Sequence, residues 1–518
     1  MKGFFITTAI DYPTAKPHLG HAYEKIISDT IARARKLSGE KVFFSTGTDE
    51  HGKKVLTYAK NAGKQPKEFV DVLVKSYLDL CEKLDINYTK FIRTTDGYHE
   101  KSAKDFYQAL QDNGDLYKGT YSGLYCEPCE RYYTEKELDG KQCPVHKKDC
   151  EELTEETYFF KLSKYQKPLL EFFEKNPEFI VPKIRRKEIV NRVKEGLLDL
   201  SVSRSSFDWG VKVPFDEKHV IYVWIEALLN YVTVIGFPKG KDFEAFWPAD
   251  IHVIGKDISW FHTVIWPCLL LSAEIPLPKS VLVHGFINTG KHEKLSKTTK
   301  TLVDPIALIE KYSSDALRYY LLREASVGED LLFSEKNFQE RLNSELADII
   351  GNLVHRTLVF VDSKFDGVIP KPEKESFSKQ QKEFLKLIET EPKEIAKLYD
   401  NPVKLKEALN ACLVYAKKAN EFFQSEKPWE TIKTNKQQAA NSLFLLSNFL
   451  ASLSIVLHPV LPKSTQKVWG YLNLEGKVEE QLFANASKLL VKEGQKISKP
   501  ELLFKKVDDR EFKKLQQL

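Results

Sequence analysis

The stretch Gly3-Phe4-Phe5-Ile6-Thr7-Thr8-Ala9-Ile10 decides the fold, because its Phe, Ile and Thr residues are typical of a buried β-strand. A loop with two prolines follows, and apolar residues then recur at helical spacing over 22–31. Further strands are predicted over 42–45 and 91–93, with another helix between them. Strands that alternate with helices predict a parallel α/β sheet, whose ligands lie near the carboxyl ends of the strands.

The alternation of strands and helices is interrupted once along the chain. Aromatic and cysteine-rich sequence runs from about residue 116 to 213, strand-like runs return at 219–224 and 251–254, and helical periodicity dominates from 337 onwards. These patterns predict a Rossmann-like α/β domain that is split by an insertion and followed by an α-helical domain. The predicted segments are 1–116 and 213–275 for the two halves of the α/β domain, 117–212 for the insertion, 276–336 for a linking region and 337–518 for the helical domain.

The overall composition is that of an ordinary globular protein. Of the 518 residues, 42% are hydrophobic and 29% are charged, which excludes a collagen-like or wholly disordered chain. The net charge of +5 does not decide whether the chain binds a polyanion, because binding depends on where basic groups cluster. The longest apolar runs, 264–271 and 443–457, are interrupted, and the first residues lack a signal-peptide pattern. We therefore expect a cytoplasmic protein without a membrane partner.

The tetrapeptide His18-Leu19-Gly20-His21 stands where the first strand has ended and the first helix begins. Two histidines three residues apart face the same side of a helix, beside N–H groups at the helix start that favour an anion. Gly20 has no side chain, so an adenine ring or a phosphate can approach the backbone. An ordinary surface helix start is the alternative, and four residues alone do not exclude it.

A second candidate is Lys294-Leu295-Ser296-Lys297-Thr298, in a polar segment after the apolar run 281–287. Two lysines three residues apart can neutralise a polyphosphate as negative charge builds on the leaving group. A solvated basic loop is the alternative, because the chain is rich in lysine.

A near match to a phosphate-binding P-loop occurs at Gly47-x4-Gly52-Lys53. Lys54 stands where a Ser or Thr would bind magnesium, and Asp49 and Glu50 would repel phosphate. We therefore exclude a P-loop. Asp49 is better suited to accepting a hydrogen bond from an ammonium group, so this segment is predicted to form part of an amino-acid site.

Four of the seven cysteines lie between residues 126 and 150. Cys126-x2-Cys129 and Cys143-x2-His146 have the spacing of paired zinc knuckles, whose four ligands satisfy tetrahedral zinc and leave no open position. We predict structural Zn²⁺ on these four residues, with Cys150 as the alternative to His146. An odd number of cysteines with this clustering favours a reducing compartment over a secreted disulfide framework.

The two short motifs, His18–His21 and Lys294–Thr298, together resemble the HIGH and KMSKS signatures of class I aminoacyl-tRNA synthetases, in the right order. The second departs at Leu295 and Thr298, and neither change touches a lysine. Within that class the whole chain resembles the methionyl-tRNA synthetases, specifically the bacterial kind with a single zinc knuckle pair. The resemblance also rests on these collinear segments: Ile10-Asp11-Tyr12, Thr46-Gly47-Thr48-Asp49-Glu50-His51-Gly52, the zinc insertion, Tyr222-Val223-Trp224-Ile225-Glu226-Ala227-Leu228-Leu229-Asn230-Tyr231, Gly255-Lys256-Asp257, Val283-His284-Gly285-Phe286, Gly351-Asn352-Leu353-Val354-His355-Arg356 and Lys427-Pro428-Trp429.

The resemblance implies site residues for three ligands. For methionine they are Asp49, which holds the ammonium group, and the following residues around the thioether: Ile10, Tyr12, Trp224, Ala227, Leu228, Tyr231 and His284. For ATP they are Gly20, Gly255 and Asp257, Glu24 as a residue that helps hold Mg²⁺, and four residues that are also the implied catalytic set: His18, His21, Lys294 and Lys297. Arg204 matches a family arginine near the reacting site. For the anticodon they are Asn352, Arg356 and Trp429.

The resemblance also implies the reaction and the partners. L-Methionine would be activated by ATP to methionyl-adenylate and transferred to the 3′-terminal ribose of tRNA(Met). The alternatives are another class I synthetase, for leucine, isoleucine, valine or cysteine, and a tRNA-binding scaffold without catalysis. The insertion is too short for the editing domain that the first three carry. The charged segment 508–514 stands in place of an appended dimerising domain, which predicts a monomer.

Overall fold

The computed structural model describes residues 2–126, 131–133, 138, 140–144, 147–289, 293–294 and 303–507. The chain divides into two compact units. Unit 1 comprises Met1–Ser28, Phe43–Glu82 and Tyr88–His284, and unit 2 comprises Asp29–Val42, Lys83–Asn87 and Gly285–Leu518. Neither unit is one continuous stretch of sequence.

Strands and helices are distributed along the described residues as follows. The strands are β1 (Phe4–Thr8), β2 (Val42–Thr48), β3 (Lys90–Arg93), β4 (Leu116–Cys126), β5 (Arg131–Tyr133), β6 (Glu151–Phe160), β7 (Ile180–Val181), β8 (Leu200–Ser201), β9 (Ser203–Arg204), β10 (Lys212–Val213), β11 (Asp216–Ile221), β12 (Ile251–Gly255), β13 (Val281–His284), β14 (Ile287–Thr289), β15 (Glu293–Lys294) and β16 (Leu331–Phe333). The α-helices are α1 (Leu19–Leu37), α2 (Lys53–Asn61), α3 (Pro66–Lys83), α4 (Gly97–Asp112), α5 (Gln166–Lys175), α6 (Lys183–Lys194), α7 (Val223–Leu228), α8 (Asn230–Thr233), α9 (Lys241–Phe246), α10 (Trp266–Ser272), α11 (Pro305–Tyr312), α12 (Ser314–Glu324), α13 (Glu335–Arg341), α14 (Asn352–Lys364), α15 (Lys379–Tyr399), α16 (Leu405–Glu426), α17 (Pro428–Thr434), α18 (Lys436–Leu457) and α19 (Pro462–Tyr471).

The centre of unit 1 is a six-stranded sheet with the strand order β3-β2-β1-β12-β13-β7. The pairings of β1 with β12, β12 with β13, β13 with β7 and β2 with β3 are all parallel. The chain runs outward from β1 to β3 and later returns to the other side of β1 with β12. That reversal creates a topological switch point between β1 and β12, where ligands of such sheets bind. The predicted parallel α/β sheet is confirmed.

Two antiparallel sheets lie between β3 and β12 in the sequence of unit 1. In the larger one, of order β5-β4-β6-β8, β4 pairs with β6 from Leu116 opposite Phe160 to Tyr125 opposite Glu151. The smaller one has the order β10-β11-β9. Residues 180–181 lie inside the predicted insertion 117–212 and add β7 to the edge of the parallel sheet. This part of the chain therefore contributes to the central sheet as well as to its own.

One strand prediction near the candidate site is wrong. The strand expected over 219–224 ends at Ile221, and α7 begins at Val223. Val223 and Ile225 are β-branched and favour strands, but both are buried, and packing against the core overrides intrinsic propensity. As a result, Trp224 lies on a helix.

Unit 2 is built mainly of helices, as the sequence predicts for the C-terminal part of the chain. Its central helix is α18, in which all residues from Ala439 to Leu457 are buried. By length and hydropathy α18 is the one helix among the described residues that meets the criteria for a membrane span. Its apolar window is entirely buried inside the protein, however, which is the environment of a core helix.

A buried ion cluster lies in the core of unit 2. Asp29 accepts a hydrogen bond from Nε of Arg33 at 2.7 Å and forms an ion pair with Arg318 at 2.7 Å, and all three side chains are buried. Arg318 also donates to the backbone carbonyl oxygen of Val460 at 3.0 Å. A buried charge is tolerated when it is paired and hydrogen-bonded in this way. The cluster joins residues that are far apart in the sequence.

His458 adjoins this cluster as a neutral ring. Arg33, which can only donate, lies 3.3 Å from Nε2 of His458, and Nδ1 lies 3.0 Å from the hydroxyl of Thr465. The proton of His458 is therefore on Nδ1. Burial and the positive charge of Arg33 lower the pKa of His458 to about 3.

Candidate active site

The carboxyl ends of the parallel strands bring the predicted methionine and ATP residues of unit 1 together. Ile10 and Tyr12 follow β1, Asp49 follows β2, Gly255 ends β12 and His284 ends β13. These strands include the pair that borders the switch point. The residues therefore converge on the edge where this type of sheet binds ligands.

The two predicted catalytic histidines lie at the start of α1 as a stacked pair. The backbone N–H of His18 donates to Nδ1 of His21, and that of Gly20 donates to Nδ1 of His18, each at 3.0 Å. Because both Nδ1 atoms accept, the proton of each neutral ring is on Nε2. The ring centroids are 3.8 Å apart. The turn thus carries two N–H donors side by side, which suits an oxygen-rich anion such as a phosphate.

Gly20 is required sterically by this arrangement. A Cβ atom at position 20 would lie 2.9 Å from Cε1 of His18, closer than two carbon atoms can pack. Any side chain here would displace the imidazole whose Nδ1 accepts from the Gly20 backbone. The glycine therefore preserves the histidine geometry as well as access to the backbone.

Asp49 is held in place by the loop that follows β2. Its N–H donates to the carbonyl oxygen of Asp11 at 2.8 Å. The neighbouring Glu50 carboxylate is fully buried and accepts from Arg93 at 2.6 and 2.8 Å and from two threonine hydroxyls at 2.6 Å each. These contacts fix the loop through the backbone of Asp49 and the side chain of Glu50. Asp49 is itself buried, and a positioned carboxylate of this kind fits the recognition of an ammonium group.

A second buried carboxylate, Glu226, joins this loop to α7. Its Oε1 accepts from Nε2 of His99 at 2.7 Å, and its Oε2 lies 3.4 Å from Nδ1 of His51. Burial disfavours charge on both partners, but the two histidines hold the pKa of Glu226 at about 2, and Glu226 raises the pKa of His51. Tyr12 donates to the carbonyl oxygen of His51 at 2.9 Å. The loop with Asp49 and the helix with Trp224, Ala227 and Leu228 are therefore tied together.

Trp224 and Tyr231 belong to an aromatic cluster in unit 1. Trp224 stacks on Phe261 with a centroid distance of 4.1 Å and an interplanar angle of 12°. Tyr231 is buried, and its ring centroid lies 4.1 Å from that of His252. The Tyr231 hydroxyl lies 2.7 Å from Nε2 of His262. A desolvated aromatic wall suits a flexible, polarisable sulfur side chain.

His262 is not among the residues predicted from the sequence, although it contacts one of them, Tyr231. Its Nδ1 lies 2.9 Å from the carbonyl oxygen of Ile258, which can only accept, so Nδ1 carries the proton and Nε2 accepts from Tyr231. Burial lowers the pKa of His262 to about 4, so the ring is neutral near pH 7. The one signal in the sequence was a polar side chain in the apolar segment 260–271, a pattern that also fits a core residue.

His284 contacts residues of the predicted ATP set. Its Nε2 lies 3.0 Å from Oε2 of Glu24, and its ring meets Tyr23 edge-on at a centroid distance of 5.4 Å. A Cβ atom at Gly255 would lie 2.8 Å from Oδ1 of Asp257 and 3.8 Å from Cε1 of His284. The structure thus groups His284 with Glu24, Gly255 and Asp257, whereas the resemblance places it around the methionine thioether.

Arg204 is buried next to the segment that precedes α7. Its guanidinium carbon lies 4.1 Å from the ring centroid of Tyr222, and one nitrogen donates to the hydroxyl of Ser201 at 2.8 Å. Nε lies 3.7 Å from the carboxylate of Glu155. Tyr222 directly precedes α7, so Arg204 supports the backbone that leads into Trp224.

The predicted zinc site falls only partly within the described residues. Cys126, Cys143 and Cys150 are buried in one small core together with Tyr133, whereas Cys129 and His146 lie outside the described residues. In the part of the chain that is described, no group of three or more metal-binding side chains is placed to hold an ion. The ligand set therefore stays a prediction.

The lysine signature belongs to unit 2. Lys294 ends the short strand β15, which pairs antiparallel with β14. Lys297 lies outside the described residues. The phosphate role of both lysines stays a prediction.

The predicted anticodon residues lie close together in unit 2. The guanidinium carbon of Arg356 lies 4.3 Å from the ring centroid of Phe423 and 5.9 Å from that of Trp429. The side-chain oxygen of Gln424 accepts from both terminal nitrogens of Arg356 at 3.1 Å. Asn352, one helical turn before Arg356, is exposed, and Trp429 is half-buried. An accessible aromatic ring beside an arginine and an amide can stack on an unpaired base and bond to its edge.

Comparison with known protein families agrees with these observations. The sequence model described as "tRNA synthetases class I (M)" matches residues 4–154 and 143–358. The one described as "Anticodon binding domain of methionyl tRNA ligase" matches residues 371–518. The first match covers the α/β part and continues into the first helices of unit 2, and the second covers the later helices.

Individual relatives and solved structures match over nearly the whole chain. The methionine--tRNA ligase of Caldanaerobacter subterraneus subsp. tengcongensis is 41% identical over 512 residues, which cover 98% of this chain and 79% of that protein. The methionine--tRNA ligase of Thermotoga maritima is 40% identical over 519 residues, covering 99% and 81%. The structure of Mycobacterium tuberculosis methionyl-tRNA synthetase in complex with methionyl-adenylate matches with a TM-score of 0.92 at 37% identity, covering 97% of this chain and 100% of that one. Identity at this level over both units means that the chain belongs to the methionyl-tRNA synthetase family of class I aminoacyl-tRNA synthetases.

Proposed function

We propose that the chain activates L-methionine with ATP and charges tRNA(Met) in the cytoplasm. The methionine carboxylate attacks the α-phosphorus of ATP in line, which forms methionyl-adenylate and releases pyrophosphate. A hydroxyl of the 3′-terminal ribose of the tRNA then attacks the carbonyl carbon, and AMP leaves. No covalent bond to the enzyme is needed, because catalysis rests on positioning and on charge placed where the phosphates become more negative.

The nucleotide binds at the start of α1 and at the end of β12. His18 and His21 donate from Nε2 to phosphate oxygens, a role that their fixed tautomers support. Lys294 and Lys297 neutralise the leaving pyrophosphate, and the backbone at Gly20 and Gly255, together with Asp257, contacts the nucleotide. The segments 1–116 and 213–275 thus form the catalytic domain.

Mg²⁺ accompanies ATP, and Glu24 is the residue proposed to help hold it. Its carboxylate is buried in the second turn of α1 and lies 3.0 Å from His284. A carboxylate is the ligand type that Mg²⁺ prefers beside substrate phosphates. The ion supplies positive charge to the phosphates, and Glu24 fixes its place.

Methionine binds between the Asp49 loop and the helix α7. Asp49 accepts from the ammonium group, and Ile10, Tyr12 and Leu228 enclose the side chain with the aromatic residues Trp224 and Tyr231. His262, which accepts from the Tyr231 hydroxyl, is neutral, so the aromatic residues around the thioether carry no net charge. The contacts of Glu226 with His99 and His51 connect the loop proposed to bind the ammonium group with the helix proposed to line the thioether.

We also propose structural Zn²⁺ on Cys126, Cys129, Cys143 and His146, with Cys150 as the alternative to His146. The three described cysteines share one buried core, which fits a common metal ion as ligand partner. When bound, zinc would hold the fold of the insertion 117–212. It would take no part in the chemistry.

The helical segment 337–518 is proposed to bind the anticodon of tRNA(Met), with 276–336 as the linking region. Trp429 stacks on one base, and Asn352 and Arg356 donate to base edges or phosphate. The Arg356 guanidinium is already held over Phe423 and by Gln424, so little ordering is needed when RNA binds.

The observation that carries the proposal is the convergence of the stacked Nε2–H donors, the Asp49 loop and the aromatic wall at the carboxyl edge of one sheet. The test is amino-acid-dependent exchange of pyrophosphate into ATP, measured separately with methionine, leucine, isoleucine, valine and cysteine. Exchange is expected with methionine alone. Exchange with another amino acid and none with methionine would identify a different synthetase, and no exchange at saturating ATP would indicate a scaffold.

A matched pair of variants tests the residue roles in the same assay. Asp49→Asn should raise the KM for methionine about tenfold or more, because the ammonium group loses a charged partner. Asp105→Asn is the control, since Asp105 is an exposed carboxylate on α4. Equal behaviour of the two variants would contradict the role of Asp49.

A further inference from the structure

A buried ion pair lies directly behind the catalytic histidines. Nζ of Lys25 is 2.5 Å from Oδ2 of Asp11, and the side chains are 0% and 4% exposed. Lys25 is on α1, four residues after His21 and on the same face of the helix. Asp11 lies between β1 and α1, where its N–H donates to the carbonyl oxygen of Gly47.

The pair is charged despite its burial. Burial opposes the charge of the lysine, but the attraction and hydrogen bond of the Asp11 carboxylate hold the pKa of Lys25 above its ordinary value. Taking two charges out of water costs free energy that their attraction repays only with good geometry. Apolar residues of similar size in place of a buried ion pair are often neutral or stabilising, so stability alone does not account for such a pair.

Asp11 touches both substrate regions of the proposed site. Its second carboxylate oxygen, Oδ1, lies 3.9 Å from Nε2 of His21, the atom that carries the proton offered to phosphate. Its carbonyl oxygen accepts from the N–H of Asp49 at 2.8 Å. A carboxylate this close to a phosphate donor would repel the triphosphate unless its charge were cancelled.

We propose that Lys25 is a positioning residue for ATP, which cancels the charge of Asp11 so that this carboxylate, 3.9 Å from Nε2 of His21, does not repel the phosphate that His21 binds. The inference rests on the proposed function and adds a role to two residues outside its substrate contacts. The His18 N–H fixes the His21 ring, and Lys25 makes the neighbouring Asp11 carboxylate compatible with a polyanion. Neither residue needs to contact a substrate.

Opposite responses of the two partners distinguish this role from a merely structural one. Lys25→Met leaves the Asp11 carboxylate uncompensated beside His21, so the dissociation constant for ATP should rise about tenfold or more. Asp11→Asn keeps an oxygen acceptor and removes the negative charge, so ATP binding should not weaken. The double variant Asp11→Asn/Lys25→Met should bind ATP within about threefold of the unchanged protein, since the site is again neutral.

The measurement is direct binding of ATP by calorimetry, together with KM values for ATP and methionine from pyrophosphate exchange and a thermal unfolding scan. Lys75→Met, an exposed lysine on α3, is the matched control. The KM for methionine should stay unchanged in Lys25→Met. ATP binding needs no turnover, so the inference can fail or succeed even if methionine-dependent exchange is absent.

Two outcomes would overturn the inference. One is ATP binding by Lys25→Met that matches the unchanged protein. The other is a loss of ATP affinity in Asp11→Asn, or in the double variant, as large as that in Lys25→Met, which would mean that the pair only supports the fold. If Lys25→Met does not fold, a loss of ATP affinity of about tenfold or more in Asp11→Asn or in the double variant still overturns the inference, and affinity within about threefold of the unchanged protein in both supports it.

Discussion

Trp429→Ala tests whether Trp429 contacts RNA or only packs within the helical bundle. Both are open because the ring is partly buried and partly accessible. Trp429 is half-buried, with its ring centroid 5.9 Å from that of Phe423 at an interplanar angle of 24°. Arg356 lies at 5.9 Å from the same ring. One part of the indole therefore packs on the bundle and the rest is accessible.

The two contributions differ in size and in what they affect. Stacking of a base on an aromatic ring is worth about 1–3 kcal/mol, which is about 5- to 150-fold in RNA affinity. The ring pair with Phe423 adds about 0.5–1.5 kcal/mol to folding beyond area burial. We therefore expect aminoacylation at subsaturating tRNA to fall about tenfold or more, with a small decrease in the melting temperature.

The assay compares three quantities in one preparation: methionine-dependent pyrophosphate exchange, tRNA charging and thermal unfolding. Exchange needs no tRNA and should be unchanged in Trp429→Ala. Phe423→Ala is the contrasting variant, since Phe423 is buried and its truncation should cost about 3–5 kcal/mol of stability. If Trp429→Ala loses exchange and melting temperature together with charging, Trp429 belongs to the core and the anticodon proposal for it is wrong.

Three further predictions concern other parts of the molecule. Tyr231→Phe deprives the buried His262 of its donor, so the KM for methionine should rise about tenfold in pyrophosphate exchange, whereas an equal rise in the KM for ATP would contradict a methionine-side role. His458 has a pKa of about 3 in the folded protein against about 6.5 when unfolded, so its stabilising contribution is complete above the higher value and is lost as the pH falls towards the lower one. His458→Gln should therefore reduce the loss of stability between pH 7 and 5 by up to about 1.4 kcal/mol per pH unit, measured by urea unfolding, and an unchanged slope would refute this. Cys150→Ser should leave one zinc per chain by elemental analysis if His146 is the fourth ligand, and a loss of zinc would show that Cys150 binds it instead.

Sequence patterns predicted the parts of the fold that depend on local order. Strand and helix alternate near the start of the chain, so the parallel sheet and the location of His18 and His21 at a helix start followed directly. The start of α7 did not, because Val223 and Ile225 favour strands and only the surrounding core makes them helical. Sequence spacing carries no information about packing of this kind.

Residues of the candidate site that cluster along the chain can be proposed from the sequence, whereas contacts made only in space cannot. Asp49 and Glu50 are adjacent, and the loop they form is predicted to be part of an amino-acid site. His262 is 31 residues from Tyr231, and His99 is 127 from Glu226, so their hydrogen bonds follow from tertiary structure alone. Each is an isolated histidine in the sequence, which fits a core residue equally well.

The burial of α18 from Ala439 to Leu457 has a consequence for protein synthesis. The side-chain amide of Asn448 donates to the carbonyl oxygen of Val491 and accepts from the Val491 N–H. Val491 lies 43 positions later in the chain. At about 5–20 residues per second, the ribosome needs about 2–9 s to add that stretch, during which the most apolar helix of unit 2 lacks its partner. A growing chain is thus most prone to aggregate in this window. Slow codons between these positions should lower the soluble yield, and the same codons placed before α18 should not.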